Sequence, residues 1–450
     1  MLQIIVNILL LVIGLRTYNS QNNKYVVLII LSVFCTGMFG IYKYFDSVVY
    51  VKDMDYALVF MFLMIFISRK EIKWKSTRYG KVLLAFACVH VLYLLFTVIC
   101  GYESFSFAFK DCRNIFLYLL YFPLQRLNTK DIEKAIRCMF VITIILGIRF
   151  LLQYVGINIM VSNDDLDIDN GMVRFRNVPD WSIFYLVLIA LNRTVIKYKY
   201  LFLLFFLGLL VLPMARMRIM VFCLVMLGYL FFIAKRYTHL LKVSFVAGIV
   251  ALMLSPFLLA RMEGGDRGVS MWDDISLAVN TRDFSSYDSE SSGTLGFRLA
   301  ILLERFEYLS KNPKYLLTGV GFRHEESPNC DKEFNFFVGT ESENTRSGIV
   351  QIHSVDIQWV GVLCQMGLIG VLVWLLFLIF INQILFSFRE DALCEGGFVL
   401  CMIFTLGSIT EAIWSYNNMH ILLVSILLVY AKQIKQNRLF NKKIKLWIKN

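Results

Sequence analysis

Long apolar runs alternate with short polar turns along nearly the whole chain. They cover residues 2–15, 25–42, 54–68, 82–100, 115–125, 138–156, 182–192, 199–213, 217–234, 243–259, 358–386, 396–415 and 418–431. An α-helix of roughly 20 apolar residues spans the ~30 Å hydrocarbon layer, where only helices and closed barrels satisfy their backbone groups. The pattern predicts an all-α polytopic membrane bundle of about 12–13 transmembrane helices, with 2–15, 115–125 and 182–192 the shortest runs. The first run has no basic n-region and no small-residue cleavage site, so a retained helix is expected there. The runs differ in spacing between the two halves, which argues against the paired repeats common in transporters.

Only one connection is long. It divides the chain into N-terminal helices (1–259), a large loop (260–353), C-terminal helices (354–431) and a basic tail (432–450). A loop of that length is usually functional or disordered. Its first half, "EGGDRGVSMWDD…TRDFSSYDSESSGT", is rich in Ser, Asp and Gly, and mobility is expected there. In "FRLAILLERFEYLSK" (297–311), Leu299, Leu302, Leu303, Phe306 and Leu309 recur at helical spacing, with Arg298, Arg305 and Ser310 largely off that face. Such a helix either lies on a membrane surface or packs on the protein's own spans.

Composition agrees with the pattern: 58% of the residues are hydrophobic and 17% charged, which excludes an ordinary soluble globule. The basic residues concentrate in "RKEIKWKSTRYGK" (69–81), "RLNTKDIEKAIR" (126–137), "RTVIKYK" (193–199), "KRYTHLLK" (235–242) and the tail. By the positive-inside rule these turns face the cytoplasm. The large loop carries ten Lys/Arg against fifteen Asp/Glu, a net −5 in a chain of net +12, so the remainder is +17. The basic balance therefore reports topology and contact with anionic membrane lipids; no basic patch with interleaved aromatics indicates nucleic acid. The ten cysteines form no metal or disulfide pattern, and Cys330 stands alone in the loop.

Several catalytic classes drop out. No phosphate loop and no G-x-S-x-G occurs, "GVGFRH" lacks the third glycine of a dinucleotide fingerprint, and "HEESP" lacks the second histidine of a zinc protease. In "DDLDIDNG" (164–171), Asp165, Asp167 and Asp169 alternate like the start of a calcium loop. The glycine falls one place late and Arg176 stands where the closing Glu belongs, so a solvated acidic turn is expected. Asp53 and Asp55 fit the capped start of the next span better than a metal–diphosphate site. No metal or cofactor is expected.

The arginines on the side opposite the basic turns are more informative, because positive charge there runs against the rule that sets topology. Arg113 precedes a span, Arg174 and Arg176 sit in "VRFRNVPDW", Arg216 and Arg218 in "LPMARMRIM", and Arg298 opens the loop helix. A planar, permanently charged guanidinium suits phosphate oxygens, although pairing with acidic loops or lipid headgroups explains the same placement. Among the histidines, His90 and His420 read as hydrogen-bonded interior residues. His353 lies where the chain leaves water for lipid, ahead of a span in which Gly367 and Gly370 permit close helix packing.

These elements together resemble the O-antigen polymerase and O-antigen ligase superfamily of bacterial envelope proteins. "IHSVDIQWVGVLCQMGLIGVLVWLL" resembles the family's histidine, polar neighbour and glycine-rich span, with Ser354 where asparagine is common. "NPKYLLTGVGF" resembles the preceding proline and G-x-G turn. Arg298 stands where the family often opens its loop helix with arginine, and "MARMR" resembles a Ser-Arg element with Ala215 in the serine's place. The resemblance runs over roughly residues 50–430, and its specific part is 298–374.

It implies a GT-C-like, metal-independent glycosyltransferase of the bacterial cytoplasmic membrane, with the large loop outside. Such an enzyme transfers glycan from undecaprenyl diphosphate to an acceptor sugar of a lipid-linked repeat unit, in company with a flippase and a chain-length regulator. Arg216 and Arg298 would then neutralise the departing diphosphate and His353 would activate the acceptor hydroxyl. Arg113, Arg174, Arg176 and Arg218 would bind substrate, and Gly319 and Gly321 would let backbone approach it. Two other readings stay open at this point: ligation of finished glycan to lipid A core or protein, and a lipid-linked oligosaccharide flippase.

Overall fold

The computed structural model describes residues 2–40, 53–72, 77–159, 166–169, 172–175, 177–194, 197–213, 216–253, 271–281, 283–287, 294–325, 327–341, 345, 348–352 and 357–449. The N-terminal part comprises α1 (Leu2–Asn19), α2 (Tyr25–Cys35), α3 (Asp53–Ser68), α4 (Arg78–Ile99), α5 (Phe105–Cys112), a 3-10 segment (Arg113–Leu120), α6 (Tyr121–Leu124) and α7 (Thr129–Gln153). A small hairpin, β1 (Leu166–Asp169) and β2 (Met172–Phe175), leads to α8 (Ser182–Ala190), α9 (Lys199–Val211), α10 (Arg216–Gly228) and α11 (Tyr237–Met253). The loop holds α12 (Met271–Asn280), α13 (Thr294–Ser310), α14 (Pro313–Thr318) and α15 (Pro328–Glu333). The chain closes with α16 (Gln358–Ser387), α17 (Ala392–Gly407), α18 (Ile413–Tyr416) and α19 (Asn418–Lys449).

Local signals set several of these boundaries. Thr77 accepts a hydrogen bond from the Gly80 amide at the start of α4, and Asn128 with Asp131 forms a reciprocal capping box on α7. Among the described residues three helices, α4, α7 and α16, are long and apolar enough to cross a membrane, which fits a helical membrane protein. Six further apolar helices are 10–17 residues long. The run 115–125 is a 3-10 segment followed by one short turn of helix, and α8 has nine residues, roughly 14 Å of length at 1.5 Å per residue. Eight of the nine residues of α8 are buried, and Ile183 is partly buried. Those two expected spans are therefore interior packing elements, since an apolar stretch surrounded by protein needs no bilayer length.

The basic turns gather at one end of the bundle. Arg126 pairs with Glu71 at 2.9 Å, and the Lys24 ammonium reaches the Arg126 carbonyl at 3.4 Å. Buried Glu395 receives Arg193, Arg236 and the Tyr229 hydroxyl, while Tyr430 donates to Glu133 at 3.1 Å. Helices α10 and α17 thus each have one end fixed here, by Tyr229 just past α10 and by Glu395 in the first turn of α17, and α19 is held at an interior position by Tyr430.

The loop builds a core of its own from residues such as Ile301, Leu309, Val320, Phe334, Val338 and Ile352, continuous with Val360 and Leu363 of α16. Its helix α13 buries a face shifted from the expected one, with Leu299, Leu302 and Leu303 only partly buried against this core. Ala300, Ile301, Glu304, Arg305 and Leu309 point inward, and Phe306 is 45% exposed. Arg305 is fully buried because the returning chain needs it: its guanidinium hydrogen-bonds the carbonyls of Val338, Val350 and Gln351, and stacks 4.5 Å from the Phe336 ring. Glu304 accepts from the amides of Phe337 and Val338. The pair supplies hydrogen bonds that an irregular buried backbone would otherwise lack.

Candidate functional site

Arg218 lies in the first turn of α10, two residues after the helix begins at Arg216; the side chain of Arg216 lies outside the described residues. The Arg218 fork grips Glu411, with Nε to Oε1 at 3.2 Å and Nη2 to Oε2 at 2.7 Å. Glu411 stands in the turn where α17 ends, its amide and that of Thr410 both donating to the Gly407 carbonyl at 2.9 Å. Across from this pair, Asp180 precedes α8, and the Asn417 amide donates to it at 3.5 Å. The Asn417 carbonyl oxygen in turn accepts from the backbone of His420 at 3.1 Å.

These residues line a cavity of about 150 Å³. A more open chamber of about 430 Å³ shares Asp180, Arg218, Glu411, Asn417 and His420 and extends past Cys35 and Thr36. His420 is 8% exposed and lies against the Phe404 ring, the centroids 3.9 Å apart. Its Nδ1 has no hydrogen-bond partner among the described residues, and neither has the buried Oδ1 of Asn418 in the outer chamber. His420 is therefore not the satisfied interior histidine the sequence implied. Burial raises the Asp180 pKa above the carboxylate's ordinary value, against the lowering effects of the Asn417 hydrogen bond and the Arg218 charge.

The other sequence-selected residues are dispersed. Arg113 pairs with Asp55 in the first turn of α3 at 2.7 Å. Arg174 stands opposite Asp167 in the hairpin register, and Arg176 lies outside the described residues. The hairpin places Asp167 and Asp169 on a strand, where a calcium loop would need a tight turn, and among the described residues no cluster of metal-ligating side chains occurs. Arg298 is partly buried on α13, which packs on α12, α14 and α16, whereas α10 packs on α17 and α9. His353, Ser354 and Asp356 lie outside the described residues.

Gly319 and Gly321 have positive φ, and their backbone does approach something closely: the chain itself. The amides of Val320 and Gly321 donate to the carbonyls of Cys364 and Gln365, and a Cβ on Gly319 would meet the Gln365 carbonyl at 2.4 Å. The facing Gly367 breaks α16 with φ 63° and would collide with the Leu317 carbonyl. A Cβ on Gly321 would strike Thr97. These glycines seat the loop on α16 and α4, a packing reason for their backbone conformation that involves no substrate.

The start of α16 is also tied to the segment carrying Glu411. Gln358 accepts from the Trp414 amide at 2.9 Å, and the Trp359 indole donates to Ser408 at 3.1 Å. Asp180, Glu411, Asn417 and His420 were missed as site residues from sequence. The available signal was "SITEAIW", one carboxylate isolated between apolar segments, which requires a partner. The chain matches no family model, and no curated protein is significantly similar to it.

Proposed function

We propose that the protein is a membrane glycosyltransferase that polymerises lipid-linked repeat units, taking the growing glycan from undecaprenyl diphosphate. The observation that carries this reading is the cavity around Arg218, in which charged and polar side chains face an apolar wall, at the ends of α10, α17 and α19 opposite their contacts with the basic turns. A polar chamber between helix ends on the side away from the positive turns suits a reaction between a membrane-anchored carrier and a water-borne sugar.

In this reading the shorter apolar helices also cross the bilayer, in a polytopic GT-C-like bundle with the large loop outside the bacterial cytoplasmic membrane. Arg216, Arg298 and Arg176 neutralise the departing diphosphate, and His353 takes the proton of the attacking hydroxyl. The Arg218 fork is occupied by Glu411, so its part is to shape the chamber rather than to clamp phosphate. No resident cofactor enters the scheme.

The test is purified protein in liposomes with a lipid-linked repeat unit. A ladder of lengthened products is expected, and His353→Ala should abolish it without affecting insertion. Movement of the substrate across the bilayer without lengthening would replace this reading with a flippase. Transfer only to a lipid A core acceptor would replace it with a ligase.

A further inference from the structure

Two features of the chamber do not fit an anion site. Its guanidinium is already matched by Glu411, and Asp180 adds a carboxylate from the facing segment. A diphosphate entering here would meet two carboxylates and one neutralised cation. A sugar would meet acceptors and donors suited to hydroxyls: Asp180, the buried and unpartnered Nδ1 of His420, the Asn418 carbonyl oxygen and Thr410. The Phe404 ring behind His420, together with Ile403 and Ile413, supplies an apolar wall. Buried polar atoms cost free energy unless they are hydrogen-bonded, so an imidazole held against this chamber is built for a partner that arrives from outside the chain.

We infer that the chamber between α8, α10, α17 and α19 is a hydroxyl-binding subsite for the acceptor sugar, with Asp180 and His420 as its contacts and the Arg218–Glu411 pair as its wall. The inference rests on the glycosyl-transfer reading only in naming the sugar as the acceptor end of a repeat unit. It separates the two substrates in space: the carrier's diphosphate belongs to other arginines, and the acceptor's hydroxyls belong here.

Cys35 lines the outer chamber and is partly exposed, so its alkylation rate reports occupancy in the unaltered protein. The probes are the repeat unit released from its carrier by mild acid, and inorganic pyrophosphate; the readout is the modified Cys35 peptide by mass spectrometry. The released unit should slow alkylation and pyrophosphate should not. Asp180→Asn and His420→Phe, which keeps a ring against Phe404, should each weaken protection about ten-fold or more, the loss of one hydrogen bond to a charged or desolvated group. Protection by pyrophosphate in place of the sugar overturns the subsite, as does absence of protection by the released unit. In the latter case an unimpaired product ladder leaves the polymerase reading standing. Protection without any ladder keeps the subsite and sinks that reading.

Discussion

Arg218 and Glu411 meet as a two-point fork, Nε to Oε1 at 3.2 Å and Nη2 to Oε2 at 2.7 Å. Their side chains are 38% and 29% exposed, so the pair contributes little to stability, on the order of 1 kcal/mol or less. Its consequence is electrostatic, because the carboxylate withholds the guanidinium from any other anion. Glu411→Gln should leave the thermal midpoint in detergent nearly unchanged while making pyrophosphate an inhibitor of the proposed elongation. A variant still indifferent to pyrophosphate would mean that Glu411 is not what excludes anions from the chamber.

Glu304 and Arg305 present the opposite case, a pair almost wholly covered. Burial raises the Glu304 pKa and lowers that of Arg305, so desolvation outweighs their mutual attraction for both partners. What the pair secures is the backbone around Val338 and Gln351. Arg305→Met should destabilise the loop by about 3–5 kcal/mol, because it leaves Glu304 buried without a counter-charge and strands several carbonyls. Limited proteolysis within 271–352 is the measurement, and cleavage no faster than wild type would refute the assignment.

Gly319 and Gly101 form a natural comparison, since both have φ near +70°. Nothing lies within 4 Å of a Cβ built on Gly101, whereas on Gly319 it would overlap the Gln365 carbonyl. Gly101→Ala should cost only the left-handed backbone penalty, roughly 1–2 kcal/mol. Gly319→Ala should cost about 1–3 kcal/mol more, because at ψ −174° its backbone lies in a region open essentially to glycine alone and the α14–α16 contact must also open. Thermal unfolding of the two variants side by side decides it, and equal losses would mean that the contact is not tight.

How much of this was legible in the sequence follows from the range of each interaction. The bilayer-length helices α4, α7 and α16 were readable because apolar length is a local property, as was the clustering of the basic turns at one end. The interior position of α8 was not, because an apolar nonamer reads the same against lipid as against protein. Arg305 was assigned to the outer face since helical periodicity weighs its charge and not the three carbonyls that wait for it some 33 to 46 residues downstream. Arg218 was singled out correctly as a charge needing a reason. That its partner would be Glu411, 193 positions away, is information only the fold contains.

The chamber's acidic wall also sets a pH dependence that tests whether Asp180 is as enclosed as it looks. Burial raises its pKa above the ordinary 3.8, and neither the Asn417 amide nor the nearby Arg218 cancels this. Glu411 and His420 face it from the turn after α17 and from α19, and Cys35 faces it from α2. The folded carboxyl keeps its proton at pH values where the unfolded one has already lost it. The native state therefore binds more protons through that window, and stability falls as pH rises from the ordinary value through the raised one. Below the window both states are protonated and Asp180→Asn should match wild type. Above it the variant, which has no charge to bury, should be the more stable. The difference in thermal midpoint across a pH series should climb from near zero to a positive plateau. A difference that turns negative instead would mean that the Asp180 anion is held by the guanidinium as a structural ion pair. A carboxylate committed in that way could not serve an incoming hydroxyl.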